Sequence, residues 1–80
     1  MEKRIGTITI LIRDREMSLS VNKLLSEHAE IILCRQGLPM HDRPVAVISL
    51  IVEGTVNQIN ALTGPLGRLP GITSKAVLAA

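Results

Sequence analysis

Eighty residues without a single Phe, Tyr or Trp leave Ile, Leu, Val and Ala to build the core of one small domain, residues 1–80. A domain this small buries only about 60% of the surface of its unfolded chain, so part of its stability is expected to come from a partner. Nine basic and seven acidic residues give a net charge of +2, and with no basic run and no aromatic stacking platform direct nucleic-acid binding is not expected.

Residues Arg4 to Ile12 alternate, with Ile8, Ile10 and Ile12 on one face and Ile5, Thr7, Thr9 and Leu11 on the other, which predicts the first strand. Asp14 is placed to cap a helix from about Arg15 to His28, whose apolar positions Met17, Val21, Leu24, Leu25 and His28 recur at helical spacing. Glu30 to Gln36 reads as a second strand ending at Gly37, followed by a loop that holds Pro39 and Pro44. Val45 to Glu53 alternates as the third strand, and Gly54 breaks it. Thr55 with Gln58 three residues later forms a capping box, and Ile59, Leu62 and Leu66 continue a helical stripe. Pro65 lacks the amide that would bond the Ala61 carbonyl, so a kink or break is expected there. Gly67 or Gly71 suits a left-handed helix end, and Ile72 to Leu78 alternates as the fourth strand.

The order strand, helix, strand, strand, helix, strand is the ferredoxin-like split βαβ pattern, an α+β fold. Right-handed crossovers place both helices on one face of a four-stranded antiparallel sheet. The other face is left open. Its outward set on strands one and three is Thr7, Thr9, Leu11, Val45, Val47, Ser49 and Ile51, which is not a charged surface, and contiguous apolar patches mark interaction sites. A homo-oligomer, dimer or tetramer, packed through this face is expected.

Chemistry-bearing residues are few. His28, His41 and Cys34 are the only soft metal ligands, and a site built from one chain needs at least three donors. The metal alternative is therefore a sensor that uses Cys34 and His41 across subunits. No nucleophile, base and orienting group share a motif, so no enzyme class is favoured and no cofactor is implied. Arg13-Asp14-Arg15 is the candidate ligand site: two guanidiniums beside the two or three unpaired amides of a helix start could hold a small anionic ligand. A lone cysteine forms no internal disulfide and fits a reducing compartment. The longest apolar stretch, Pro44 to Val52, is far short of the roughly 20 residues that span a bilayer. The opening Met-Glu-Lys-Arg lacks the pattern of a signal peptide. The cytoplasm is the expected compartment, with no membrane association.

Four segments resemble one family across almost the whole chain: the first strand running into Asp14-Arg15, then Arg35 to Pro39, then Ala46 to Val52, then Ala61 to Ile72. The sequence is similar to the small proteins named as regulators of the iron-only hydrogenase system. That resemblance implies an ACT-like fold, like that of the C-terminal domain of the nickel-responsive repressor, and a regulatory module that forms dimers or tetramers, and it brings no ligand with it. The apolar outer face beside the Arg13 to Arg15 loop points to a module that binds a ligand or a regulatory protein. Two positions depart from the family pattern. Pro65 stands where a helix-compatible residue such as Lys is expected, and Cys34 where an aliphatic residue is common, which argues against a family-wide thiol function. The His and Cys set of the nickel-binding relatives is not reproduced, so nickel sensing is not expected.

Overall fold

The computed structural model describes residues 2–80. In chain order the elements are β1 (Arg4–Ile12), a 3-10 turn (Arg15–Met17), α1 (Ser18–Glu27), a second 3-10 turn (Ala29–Ile31), β2 (Ile32–Pro39), β3 (Ala46–Gly54), α2 (Val56–Arg68) and β4 (Ile72–Leu78). The four strands form one antiparallel sheet in the order β2-β3-β1-β4. This is the expected ferredoxin-like α+β arrangement, and alternation builds it. Ile8, Ile10 and Ile12 of β1 and Ile48, Leu50 and Val52 of β3 are buried on one face, packed with Val21 and Leu25 of α1 and Ile59, Leu62 and Leu66 of α2. The helix stripes recur every three or four residues, so each helix turns one side to the sheet.

α2 starts where the sequence places it. The Thr55 hydroxyl accepts from the Gln58 amide at 3.1 Å, and the Gln58 side chain accepts from the Thr55 amide at 2.8 Å. Gly71, with φ of 74°, takes the left-handed position, whereas Gly67 stays inside the helix.

Four local expectations are corrected. The helix expected from Arg15 begins at Ser18, because Arg15–Met17 closes as a separate 3-10 turn, and it ends at Glu27. β2 begins at Ile32, since Ala29–Ile31 forms a turn, and it does not end at Gly37, which pairs with Ile48 and carries the strand on to Pro39. β3 begins at Ala46 and runs to Gly54. Pro65 does not break α2, which continues to Arg68. The carbonyl it leaves without a helical partner belongs to Ala61, an exposed residue, so water can take that bond and the helix survives its loss.

β2 also carries a bulge. Ile32 pairs with Val52 and Cys34 with Ile51, so Leu33 is one residue too many for the ladder and stands exposed.

Candidate functional site

The register of the ladder fixes what the open face of the sheet displays, because directly paired residues point to the same side. One row across the four strands reads Leu38, Val47, Leu11 and Thr73; the next reads Gln36, Ser49, Thr9 and Lys75; the third reads Cys34, Ile51, Thr7 and Val77. Ile5 and Glu53 follow as a partial fourth row. Two mainly apolar rows therefore flank a polar one. Val77 is 63% exposed, Leu38 59%, and Ile5 and Ile51 42% each. Six of the seven residues expected outward, Thr7, Thr9, Leu11, Val47, Ser49 and Ile51, lie in these rows. The seventh, Val45, lies just ahead of β3, half-buried, with its carbonyl accepting from the Met40 amide at 3.1 Å. Leu38 and Val77 join the face because alternation on the two central strands says nothing of the edge strands, and the sequence places Leu38 in a loop.

The Arg13-Asp14-Arg15 segment leaves β1 and closes the first 3-10 turn. The Asp14 carboxylate accepts from the Glu16 amide at 3.0 Å, the Met17 amide donates to the Asp14 carbonyl at 2.9 Å, and the Ser18 amide donates to the Arg15 carbonyl. The expected outward amides are thus used within the turn. The Arg13 amide donates to the Gly71 carbonyl at 2.9 Å, and its guanidinium donates to the Thr73 hydroxyl. Both arginines are exposed, so any anion drawn here meets side-chain charge and not a row of free backbone donors.

A family model with the description "Iron-only hydrogenase system regulator, putative" matches residues 4–76. The chain belongs to this TM1266-like family. The solved structure of the uncharacterized protein TM1266 from Thermotoga maritima is 38% identical to it, with a TM-score of 0.92 over 99% of this chain and 100% of its own. An unknown protein from Galdieria sulphuraria matches 99% of this chain with 46% of its own, at 12% identity and a TM-score of 0.67. The divalent ion tolerance protein CutA1 from Ehrlichia chaffeensis matches 100% of this chain with 85% of its own, at 11% identity and a TM-score of 0.51. These last two share the fold. No curated protein matches the chain.

In this TM1266-like chain the soft ligands are separated. Cys34 is exposed on the open face, and His41 stands exposed in the loop after β2. His28 caps the C-terminal end of α1, and its Nδ1 lies 2.8 Å from the Leu24 carbonyl, as expected for a histidine drawn to the negative end of a helix. Among the described residues no three His, Cys, Asp or Glu side chains gather as a metal site. No helix among them is long and apolar enough to cross a membrane.

Proposed function

We propose that this chain is a cytoplasmic regulatory module of the iron-only hydrogenase system, one ACT-like domain over residues 1–80 that works as a homo-oligomer and answers a small anionic ligand or a regulatory protein. The observation that carries the reading is the open face, whose rows put Leu38, Val47 and Leu11, then Cys34, Ile51 and Thr7 with Val77, side by side. Four strands about 4.8 Å apart and roughly seven residues long give this face on the order of 400 Å², and apolar rows gathered on an open face of this kind mark an interaction site. Family membership supports the regulatory role and the system it serves.

The paired surface is Thr7, Thr9, Leu11, Val45, Val47, Ser49 and Ile51, extended by Leu38 and Val77. The anion site is Arg13, Asp14 and Arg15, with Asp14 holding the turn and the guanidiniums supplying charge. Ligand binding regulates only where the ligand contacts one arrangement of the subunits better than another. Multi-angle light scattering tests the reading. The wild type is expected to run as a dimer or tetramer, and Ile51→Lys, which sets a charge amid the apolar rows without touching the core, as a monomer. A wild type that stays monomeric at high micromolar concentration overturns it.

A further inference from the structure

The helix layer does not reach the last strand of the sheet. β2 is exposed from Leu33 to Pro39 on both of its faces, and between its helix-side face and α1 runs a cleft of about 310 Å³. Its floor is Ile12 and Ile48. These keep 3% and 7% of their surface accessible, whereas Ile8, Ile10, Leu50 and Val52 of the same strands keep none. The cleft is thus a place where the sheet's inner face still meets water.

Its walls are specific. Ser18 and Asn22 stand four residues apart on α1, and Arg35 and Gly37 stand two apart on β2. Both β2 residues face the helices, because they pair with the buried Leu50 and Ile48. The Arg35 guanidinium donates to the Asn22 side-chain oxygen, which holds it over the cleft and turns the Asn22 amide into a free donor. One of five guanidinium donors is used in this bond. A Cβ built on Gly37 meets nothing within 4 Å, so the missing side chain is open volume.

We infer that the cleft binds a small monocarboxylate with a short branched aliphatic tail, the carboxylate against Arg35 and Asn22 and the tail on Ile12 and Ile48. Its size lies at the lower end of the roughly 300–1,000 Å³ of ligand pockets, and its floor is wholly aliphatic. No Asp or Glu lines it, so an ammonium group would lose hydration without gaining a charged partner. An amino acid is therefore disfavoured against the 2-oxo acid or plain acid of the same skeleton. The site is separate from the Arg13 to Arg15 segment and holds whether or not that segment binds an anion.

The test is calorimetric titration of the wild type with 3-methylbutanoate, 4-methyl-2-oxopentanoate and leucine, with amide chemical shifts mapping the site. Both acids are expected to bind and to move the amides of Ile12, Gly37 and Ile48, with leucine weaker by about tenfold or more. Arg35→Gln is expected to weaken the acids by about tenfold or more. Gly37→Val, which fills the cleft from a residue with nothing in its way, is expected to abolish binding while the melting temperature holds. Lys75→Gln, which removes a charge from the opposite face of the sheet, is expected to bind the acids as the wild type does, which ties the Arg35 effect to the cleft and not to net charge. Absence of binding by either acid at about 10 mM, leucine binding as tightly as its oxo acid, or unchanged affinity in Gly37→Val overturns the inference.

Discussion

Replacing Gly71 by alanine adds a methyl group where two segments already touch. The φ of 74° at this position costs a residue with a side chain about 1–2 kcal/mol. The new Cβ falls 2.7 Å from Asp14 Cβ and 3.3 Å from the Asp14 amide nitrogen. To relieve that contact the Arg13-Asp14 segment has to retreat from β4, which stretches the 2.9 Å bond from the Arg13 amide to the Gly71 carbonyl and strains the Asp14 cap, a further 1 kcal/mol or so. The sum is about 2–3 kcal/mol. In a domain of this size each kcal/mol lowers the melting temperature by roughly 4–8 °C, so a fall on the order of 10–20 °C is expected. Gly37→Ala is the matched control: its φ is not left-handed and its Cβ meets nothing, so a smaller unfolded ensemble favours it by about 0.4–1 kcal/mol. Urea unfolding followed by far-ultraviolet circular dichroism measures both, since the chain has no Trp or Tyr to report by fluorescence. Matched protein concentrations keep any association from entering the difference. A Gly71→Ala protein within about 0.5 kcal/mol of the wild type, or no less stable than Gly37→Ala, would refute the reasoning.

Thr55→Ala removes one arm of the capping box at the start of α2 and is expected to cost about 1 kcal/mol in the same urea assay, with the loss recovered by Thr55→Ser. Pro65→Ala restores the amide that can reach the Ala61 carbonyl; against a helix penalty near 3 kcal/mol for proline and a gain near 1 kcal/mol from its stiffer unfolded chain, a net stabilisation of about 2 kcal/mol is expected. A drop in melting temperature would show that the Pro65 ring makes packing contacts worth more than the bond. Cys34→Ala alters an exposed strand residue with no thiol partner among the described residues, so its stability is expected to stay within about 0.5 kcal/mol of the wild type, as read by thermal melts.

The central part of the sheet was legible because each position there answers to one demand. Ile8, Ile10 and Ile12 must be buried and Thr7 and Thr9 must not, so a period of two survives in the letters. Thr55 and Gln58 were equally plain, since a capping box is local and needs no tertiary information. β2 was harder. Its residues are exposed on both sides, so no alternation marks it, and Gly37 reads as a stop although the glycine merely continues an edge strand. The same error hid Leu38 from the open face and Gly37 from the cleft, while the inward direction of Arg35 follows from the bulge at Leu33, which leaves no mark in the letters. At the Arg13 to Arg15 segment the residues were legible but the use of their amides was not. A 3-10 turn and an α-helix start with the same letters, and only the backbone decides how many donors remain.

The extra residue at Leu33 acts on β2 as a phase shift. Before it, Ile32 points with Val52 toward the helices; after it, Cys34 points with Ile51 to the open side, and Arg35 takes the inward direction. A ladder that kept Ile32 on Val52 without that slip would reverse every later side chain of the strand, carrying the Arg35 charge out beside Ser49 and Thr9 and turning Cys34 and Gln36 in toward α1. The side on which this edge of the sheet is charged is thus kept by where the extra residue is absorbed, between Ile32 and Cys34. Deleting Leu33 would leave Ile32 on Val52 and Arg35 on Leu50 in a regular ladder, so the slip lets this edge carry one surplus residue without exchanging the wetted and the greasy margins of the molecule.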